Sequence, residues 1–229
     1  MNRIKQWFLD TFLIGYSLYE KLFMASMVAL QIAVFVITPD TPLNIIAGVA
    51  GVVSVVLCAK GKLDFYFIGF IQTITYLILA WQNRFYGEVL ENLFYFVTMI
   101  WGIYEWKKNM KTNEYGTEDV ASKKFNLMQW VVMIITTIAA TVAMGYWLDS
   151  IGSAQPYTDA ATNILAIFAQ LMMVWRYREQ WLWWFVIDVL CIKLWFVAGN
   201  WSMVAMYIAW TISCLYGWYT WTKLEKSQR

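Results

Sequence analysis

The chain has 229 residues, of which 61% are hydrophobic, 19% aromatic and only 14% charged, with a formal net charge of +2 and a mean hydropathy of +0.51. Soluble domains carry far more charge, and the apolar runs are long enough to cross a bilayer, which takes about 20 residues per helix; the chain reads as a polytopic membrane protein. Histidine is absent, which removes the usual proton shuttle and the commonest metal ligand. No basic block is large enough for nucleic acid. Cys58, Cys191 and Cys214 all lie inside apolar runs and suggest neither a disulfide framework nor a metal site, so no cofactor is expected.

Taken in order, residues 3–20 are amphipathic, lack a small-residue cleavage site after them, and predict a short helix lying in the membrane interface. Eight apolar segments follow, at 21–37, 43–59, 63–81, 86–106, 126–148, 160–176, 181–199 and 202–222. Turn chemistry separates them: ITPDTP at 37–42, KGKLD at 60–64, the polar KKNMKTNEYGTEDVASKK at 107–124 and DSIGSAQPYTD at 149–159. Nearly every Lys and Arg falls in alternate connections, with Arg84 on the opposite side and Lys193 inside a span. That bias predicts eight crossings with both termini cytoplasmic.

An internal repeat accompanies the charge map. GIYEWKK at 102–108 matches GWYTWTK at 217–223 at an offset of 115, and NIIA at 44–47 matches NILA at 163–166 at 119. Between them an offset of 116 sets Phe65, Ile68 and Gln72 against Trp181, Trp184 and Asp188, with an ungapped register as the alternative. Both triplets run in the same direction across the membrane, which only an odd linker permits. The expected architecture is therefore all-α, with an N-terminal interfacial helix and extra span at 1–37 and a first three-helix repeat at 43–107. A cytoplasmic loop at 108–125 and an inverting linker helix at 126–148 lead to a second three-helix repeat at 160–223. Parallel repeats of this kind are a transporter architecture, with substrate held near the midplane where the repeats meet.

Candidate site residues come from the polar groups inside these spans. Trp181, Trp184 and Asp188 fall at i, i+3 and i+7 on one helix face. Two indoles above one carboxylate suit a flat, polar, cationic ring, and an acid deep in a span marks a substrate path or a buried pair. The competing reading is plain packing, since tryptophan collects at membrane interfaces. Lys193 lies about 140° around the helix from Asp188, poor geometry for an intrahelical pair. Glu88, Asn92, Tyr95, Met99, Gly102 and Trp106 form one stripe, on which Asn92 and Tyr95 lie mid-span. Gln72 and Gln170 are buried amides that must find partners. Glu91 is divided between a site role and an ion pair with Arg84, while Asn44 and Asn163, near span starts, read as caps or interhelical bonds.

These residues also carry a family resemblance. The run FYFIGFIQTITYLILAWQNRFYGEVLENLFYFVTMIWGIYEWKK resembles the first repeat of the PnuC vitamin transporters, with ENLFYF and WGIYEW in the place of that family's Gln/Asn-aromatic and YGWYxW signatures. REQWLWWFVID resembles its second-repeat WxxWxxxN motif, and the likeness covers about residues 43–107 and 160–223. It implies a fold similar to the SWEET and semiSWEET carriers and uptake of nicotinamide riboside, with thiamine or riboflavin carried by related branches. It further implies facilitated diffusion across the bacterial inner membrane, a cytoplasmic riboside kinase that traps the substrate, and a homotrimer. Two departures stand out: Asp188 and Gln72 replace the motif's Asn, and the span at 21–37 lies outside the family core. Asp188 would accept from a carboxamide or ribose hydroxyls, or face a pyridinium; a cationic thiamine would suit it too.

Other classes fit less well. A retinal-type receptor would need Lys193 desolvated beside an acid, and its spacing from Asp188 is unsuitable. An intramembrane enzyme would need a Ser/His, paired-Asp or metal-ligand constellation, and an ATPase a P-loop; the sequence offers none of these. A purely structural membrane subunit is the remaining alternative to a carrier.

Overall fold

The computed structural model describes residues 3–37, 41–82, 84, 86–152, 155–197 and 201–227. In chain order the elements are α1 (Arg3–Phe12), α2 (Leu18–Ile37), α3 (Pro42–Ala59), α4 (Phe65–Gln82), α5 (Tyr86–Lys107), β1 (Met110–Thr112), β2 (Glu118–Val120), α6 (Leu127–Ser150), α7 (Pro156–Val174), α8 (Gln180–Val197) and α9 (Trp201–Ser227). The helices α2 to α9 coincide with the eight apolar segments to within a few residues, while the interface helix stops at Phe12. Residues 38–40, 153–154 and 198–200, which the sequence reading puts in two turns and at the end of the seventh span, lie outside the described residues. Helices α2, α3, α4 and α6 are long and apolar enough to cross a membrane.

The chain divides into two compact units, 1–121 and 122–229. The division falls inside the loop expected at 108–125, and it joins the expected linker helix, α6, to the second triplet. In unit 1, α2 packs on α3, α3 on α4 and α4 on α5; in unit 2, α6 packs on α7, α7 on α8 and α8 on α9. Each unit thus has a leading helix and a triplet. Both leading helices start with a capping box. Glu20 accepts from the Ser17 backbone N–H at 2.7 Å while Ser17 Oγ accepts from Glu20 N–H; Asn126 and Gln129 make the same exchange, both at 2.9 Å.

The turn that ends the first helix of each triplet is also shared. Pro42 and Pro156 open α3 and α7 in the first turn, where a missing N–H costs nothing. Both helices close with a Schellman motif. Gly61 and Lys62 N–H bond Cys58 and Leu57 O at 2.9 and 3.0 Å, as Arg176 and Tyr177 N–H bond Met173 and Met172 O at 3.0 and 2.8 Å. The left-handed position is Gly61 (φ 70°) in one turn and Arg176 (φ 68°) in the other, so unit 2 accepts a strained non-glycine there.

The loop after α5 departs from the all-α expectation. β1 and β2 pair antiparallel, with Met110 opposite Val120 and Thr112 opposite Glu118. Asn113 organises the turn by accepting from the Tyr115 and Thr117 N–H groups and donating to Asp119 and Thr117 side chains. The hairpin then holds the α3–α4 turn. Val120 N–H bonds Gly61 O at 2.8 Å, and the buried Lys62 ammonium meets Asp119 Oδ1 at 2.9 Å and Thr117 Oγ1 at 2.7 Å. From the other side, Trp7 Nε1 and Thr11 Oγ1 of α1 donate to Asp64 at 2.8 and 3.1 Å, and Lys60 pairs with Glu20 at 2.9 Å. Buried Tyr16 donates to Thr11 O, and its burial pushes the phenol well above its ordinary range.

Candidate functional site

In unit 2 the candidates Trp181 and Asp188 lie on α8 along its seam with α9. Trp181, buried in the first turn of α8, packs against Gly217 of α9, where a methyl group would collide with the indole. It meets Trp221 edge-on at 6.1 Å and 79°. Two turns further along, the same face carries Asp188, 5% exposed, whose Oδ2 accepts from the Cys214 thiol at 3.3 Å. Among the described residues no Lys or Arg pairs with this carboxylate, and Lys193 is exposed on α8. Trp184 is half-buried and packs on the cluster of Phe125, Ala169, Met172 and Trp183. Gln170 of α7 is buried.

Unit 1 repeats this seam between α4 and α5. Tyr66 packs against Gly102, again with no room for a methyl group, and meets Trp106 edge-on at 5.2 Å and 79°. Two turns on, the Thr73 hydroxyl donates to Met99 Sδ at 3.6 Å. Tyr66 and Trp181, Gly102 and Gly217, Trp106 and Trp221, Thr73 and Asp188, and Met99 and Cys214 are all 115 residues apart. The register in the second helix is therefore 115 and not 116, because the preceding turns have identical length and bonding. The 119 register of Asn44 and Asn163 does not extend to the helix ends, since Ala59 and Val174 are also 115 apart.

This register gives Asp188 the counterpart Thr73. Gln72 sits one residue away, about 100° around α4, with its side chain against Gly51 of α3. Asn92 is buried and donates from Nδ2 to Glu88 O at 2.8 Å. Tyr95 donates to Glu91 Oε1 at 2.5 Å, so Glu91 serves a tyrosine one turn along its own helix. Asn44 and Asn163 make local bonds at their helix starts, to Thr41 Oγ1 and Asp159 O. Cys214 and Thr73 escaped the sequence reading. The signal that finds them is the 115 offset of GIYEWKK, carried back along both helices.

Before α8 the loop carries Glu179, the counterpart of Asp64 in the same register. It is fully buried, and burial pushes its carboxyl above the usual range, with the Arg178 guanidinium (3.3 Å) and backbone N–H groups pulling the other way. Arg178 also lies over the Trp218 ring and reaches Thr222 Oγ1.

Comparison with known proteins now places the chain. Residues 41–223 match the family model described as nicotinamide mononucleotide transporter. The nicotinamide riboside transporter PnuC of Haemophilus influenzae is 36% identical over 225 residues, covering 98% of this chain and 96% of that protein. Its namesake from Neisseria mucosa is 34% identical over 93% of this chain and 84% of that protein, and the one from Escherichia coli is 24% identical over 76% and 82%. Among solved structures, the crystal structure of the vitamin B3 transporter PnuC superposes with a TM-score of 0.85 at 32% identity, covering 98% of this chain and 99% of the other.

Proposed function

We infer the function of this chain from its kinship: it belongs to the nicotinamide mononucleotide transporter family, and it is an integral membrane transporter, not an enzyme. Its relatives are named for nicotinamide riboside, and we propose the same substrate here. The relatives carry the choice of the riboside over thiamine; the observation that favours a cationic substrate is Asp188, a buried carboxylate held by a thiol with no cation paired to it among the described residues. A pyridinium supplies the missing positive charge, and a carboxamide or ribose hydroxyl supplies donors. The mononucleotide would add a phosphate dianion. The span residues proposed for the site offer acids and amides to it, while the buried Lys62 outside the spans is committed to Asp119.

Trp184 is the aromatic plate for the ring, and Asn92, Tyr95, Gln72 and Gln170 supply hydrogen bonds from the other helices. Trp181, fixed between Gly217 and Trp221, braces the wall from which Asp188 projects. The triplets α3–α5 and α7–α9 serve as SWEET-like repeats in an alternating-access cycle. Transport is facilitated diffusion in the bacterial inner membrane, with both termini cytoplasmic, a homotrimeric assembly, and net uptake drawn by a cytoplasmic kinase that phosphorylates the riboside.

Calorimetric titration of the purified chain with nicotinamide riboside, its mononucleotide, nicotinamide, thiamine and riboflavin tests the reading. The riboside should bind in the micromolar range or tighter, and Asp188→Ala and Trp184→Ala should each lose about tenfold or more, equal to about 1.4 kcal/mol. Full affinity in both variants would remove the site, and binding of thiamine alone would reassign the substrate.

A further inference from the structure

The two triplets place different chemistry at one structural position, and the difference selects a residue that the family signatures do not contain. In unit 1 the second helix carries Gly69 and Thr73 and the third carries Met99, whose methyl fills the space a Cβ on Gly69 would need (2.8 Å). In unit 2 the counterparts are Trp184, Asp188 and Cys214. Bulk has moved from the third helix to the second. Sulfur keeps its place on the third helix and oxygen keeps its place on the second, while the bond reverses: Thr73 donates to Met99, whereas Cys214 donates to Asp188.

We propose that Cys214 is a positioning residue for substrate, fixing the Asp188 carboxylate by its Oδ2 so that Oδ1 faces the positive ring of the riboside. A buried carboxylate needs a donor to hold its orientation. A thiol is a weak donor, so it orients the group without drawing off the charge that the cation must meet. A methionine, as at Met99, has no proton to give, and a lysine or arginine would neutralise the acid. The thiol thus favours a cationic ligand over a neutral one of the same shape. This inference rests on the reading that Asp188 contacts substrate.

The test compares nicotinamide riboside with its uncharged dihydropyridine form, each titrated into the full-length protein in detergent. Cys214→Val and Cys214→Ala remove the donor; Cys214→Ser keeps one. The riboside should bind about five- to tenfold more weakly to the Val and Ala variants, whose Asp188 carboxylate has lost the bond that orients it, and within about threefold of the parent in the Ser variant. Affinity for the dihydro form should stay within about twofold throughout. Equal losses for both ligands would assign Cys214 to packing and overturn the proposal. So would unchanged riboside affinity in Val and Ala, or a loss in Ser as large as in Val. Asp188→Asn separates the two levels: if it leaves the preference for the cation intact, the underlying reading of Asp188 fails, whatever the cysteine variants do.

Discussion

The seam between α4 and α5 and the seam between α8 and α9 are built alike at one end and differ at the middle. At the turn end each has an aromatic ring pressed on a glycine and set edge-on to a tryptophan, Tyr66–Gly102–Trp106 and Trp181–Gly217–Trp221. Two turns further in, one seam holds a hydroxyl and a thioether, and the other a carboxylate and a thiol. Packing is repeated where helices must be held, and polarity diverges where nothing in the fold requires it. A buried acid destabilises a membrane helix, and it stands in one seam alone, while the ring–glycine–tryptophan packing stands in both. The adjoining turns differ as well: the first is held by a buried ammonium, the second by hydrogen bonds to Tyr177 and by the Lys123 backbone.

The largest expected effect breaks the first turn. Lys62→Met leaves Asp119 buried beside a thioether, and removing one partner of a buried ion pair costs about 3 kcal/mol or more. The counterpart position in unit 2 is Tyr177, whose hydroxyl accepts from Gln129 Nε2 at 3.0 Å; Tyr177→Phe should cost only about 1 kcal/mol. Thermal unfolding in detergent reads both. Similar shifts would show that the ammonium is not what distinguishes the two turns.

Next come the glycines. Gly102→Ala and Gly217→Ala each push a methyl into a fixed aromatic ring, and overpacking of this kind costs about 1–3 kcal/mol. Both should lower the melting temperature comparably. Trp181→Phe should recover part of the loss in Gly217→Ala but none in Gly102→Ala, because only residues in contact couple. If Trp181→Phe restores neither, the indole is not what sets the α8–α9 distance.

Much of this was legible in the sequence. The apolar runs located all eight long helices, because a bilayer-spanning helix needs a length and polarity that little else produces. The GIYEWKK match carries the same 115 offset as the contacts of the two seams, and Asp188 stands out as the acid of the seventh span. What stayed hidden depends on contacts between helices. The 116 register put Gln72 opposite Asp188 because one residue of slip is invisible until the Schellman turns are seen to be equal in length. Trp181 and Trp184 share a face in sequence, yet Trp181 meets Gly217 on α9 and Trp184 meets the cluster around Met172. The hairpin at 110–120 leaves no mark in the sequence, since strands of three residues have no period to detect and Asn113 supports the turn by side-chain bonds. Cys214 looked like an inert apolar residue until its neighbour was known.

The smallest expected effect compares the leading helices. Sequence treats 21–37 as an addition outside the repeat and 126–148 as a linker, whereas each opens with a capping box and packs on the first helix of the triplet that follows it. If α2 and α6 are equivalent leaders, their caps should be worth the same. Ser17→Ala and Asn126→Ala each remove an acceptor for a first-turn N–H, at about 1 kcal/mol. Glu20 has a second partner in Lys60, so in α2 the truncation leaves that acid anchored and the loss should fall at the lower end. Hydrogen exchange at the first turn of each helix measures this locally: protection of the Glu20 and Gln129 amides should fall about fivefold for a change near 1 kcal/mol. Loss in one helix with none in the other would mean that the two leaders are held by different means, and that the shared capping pattern does not mark shared roles.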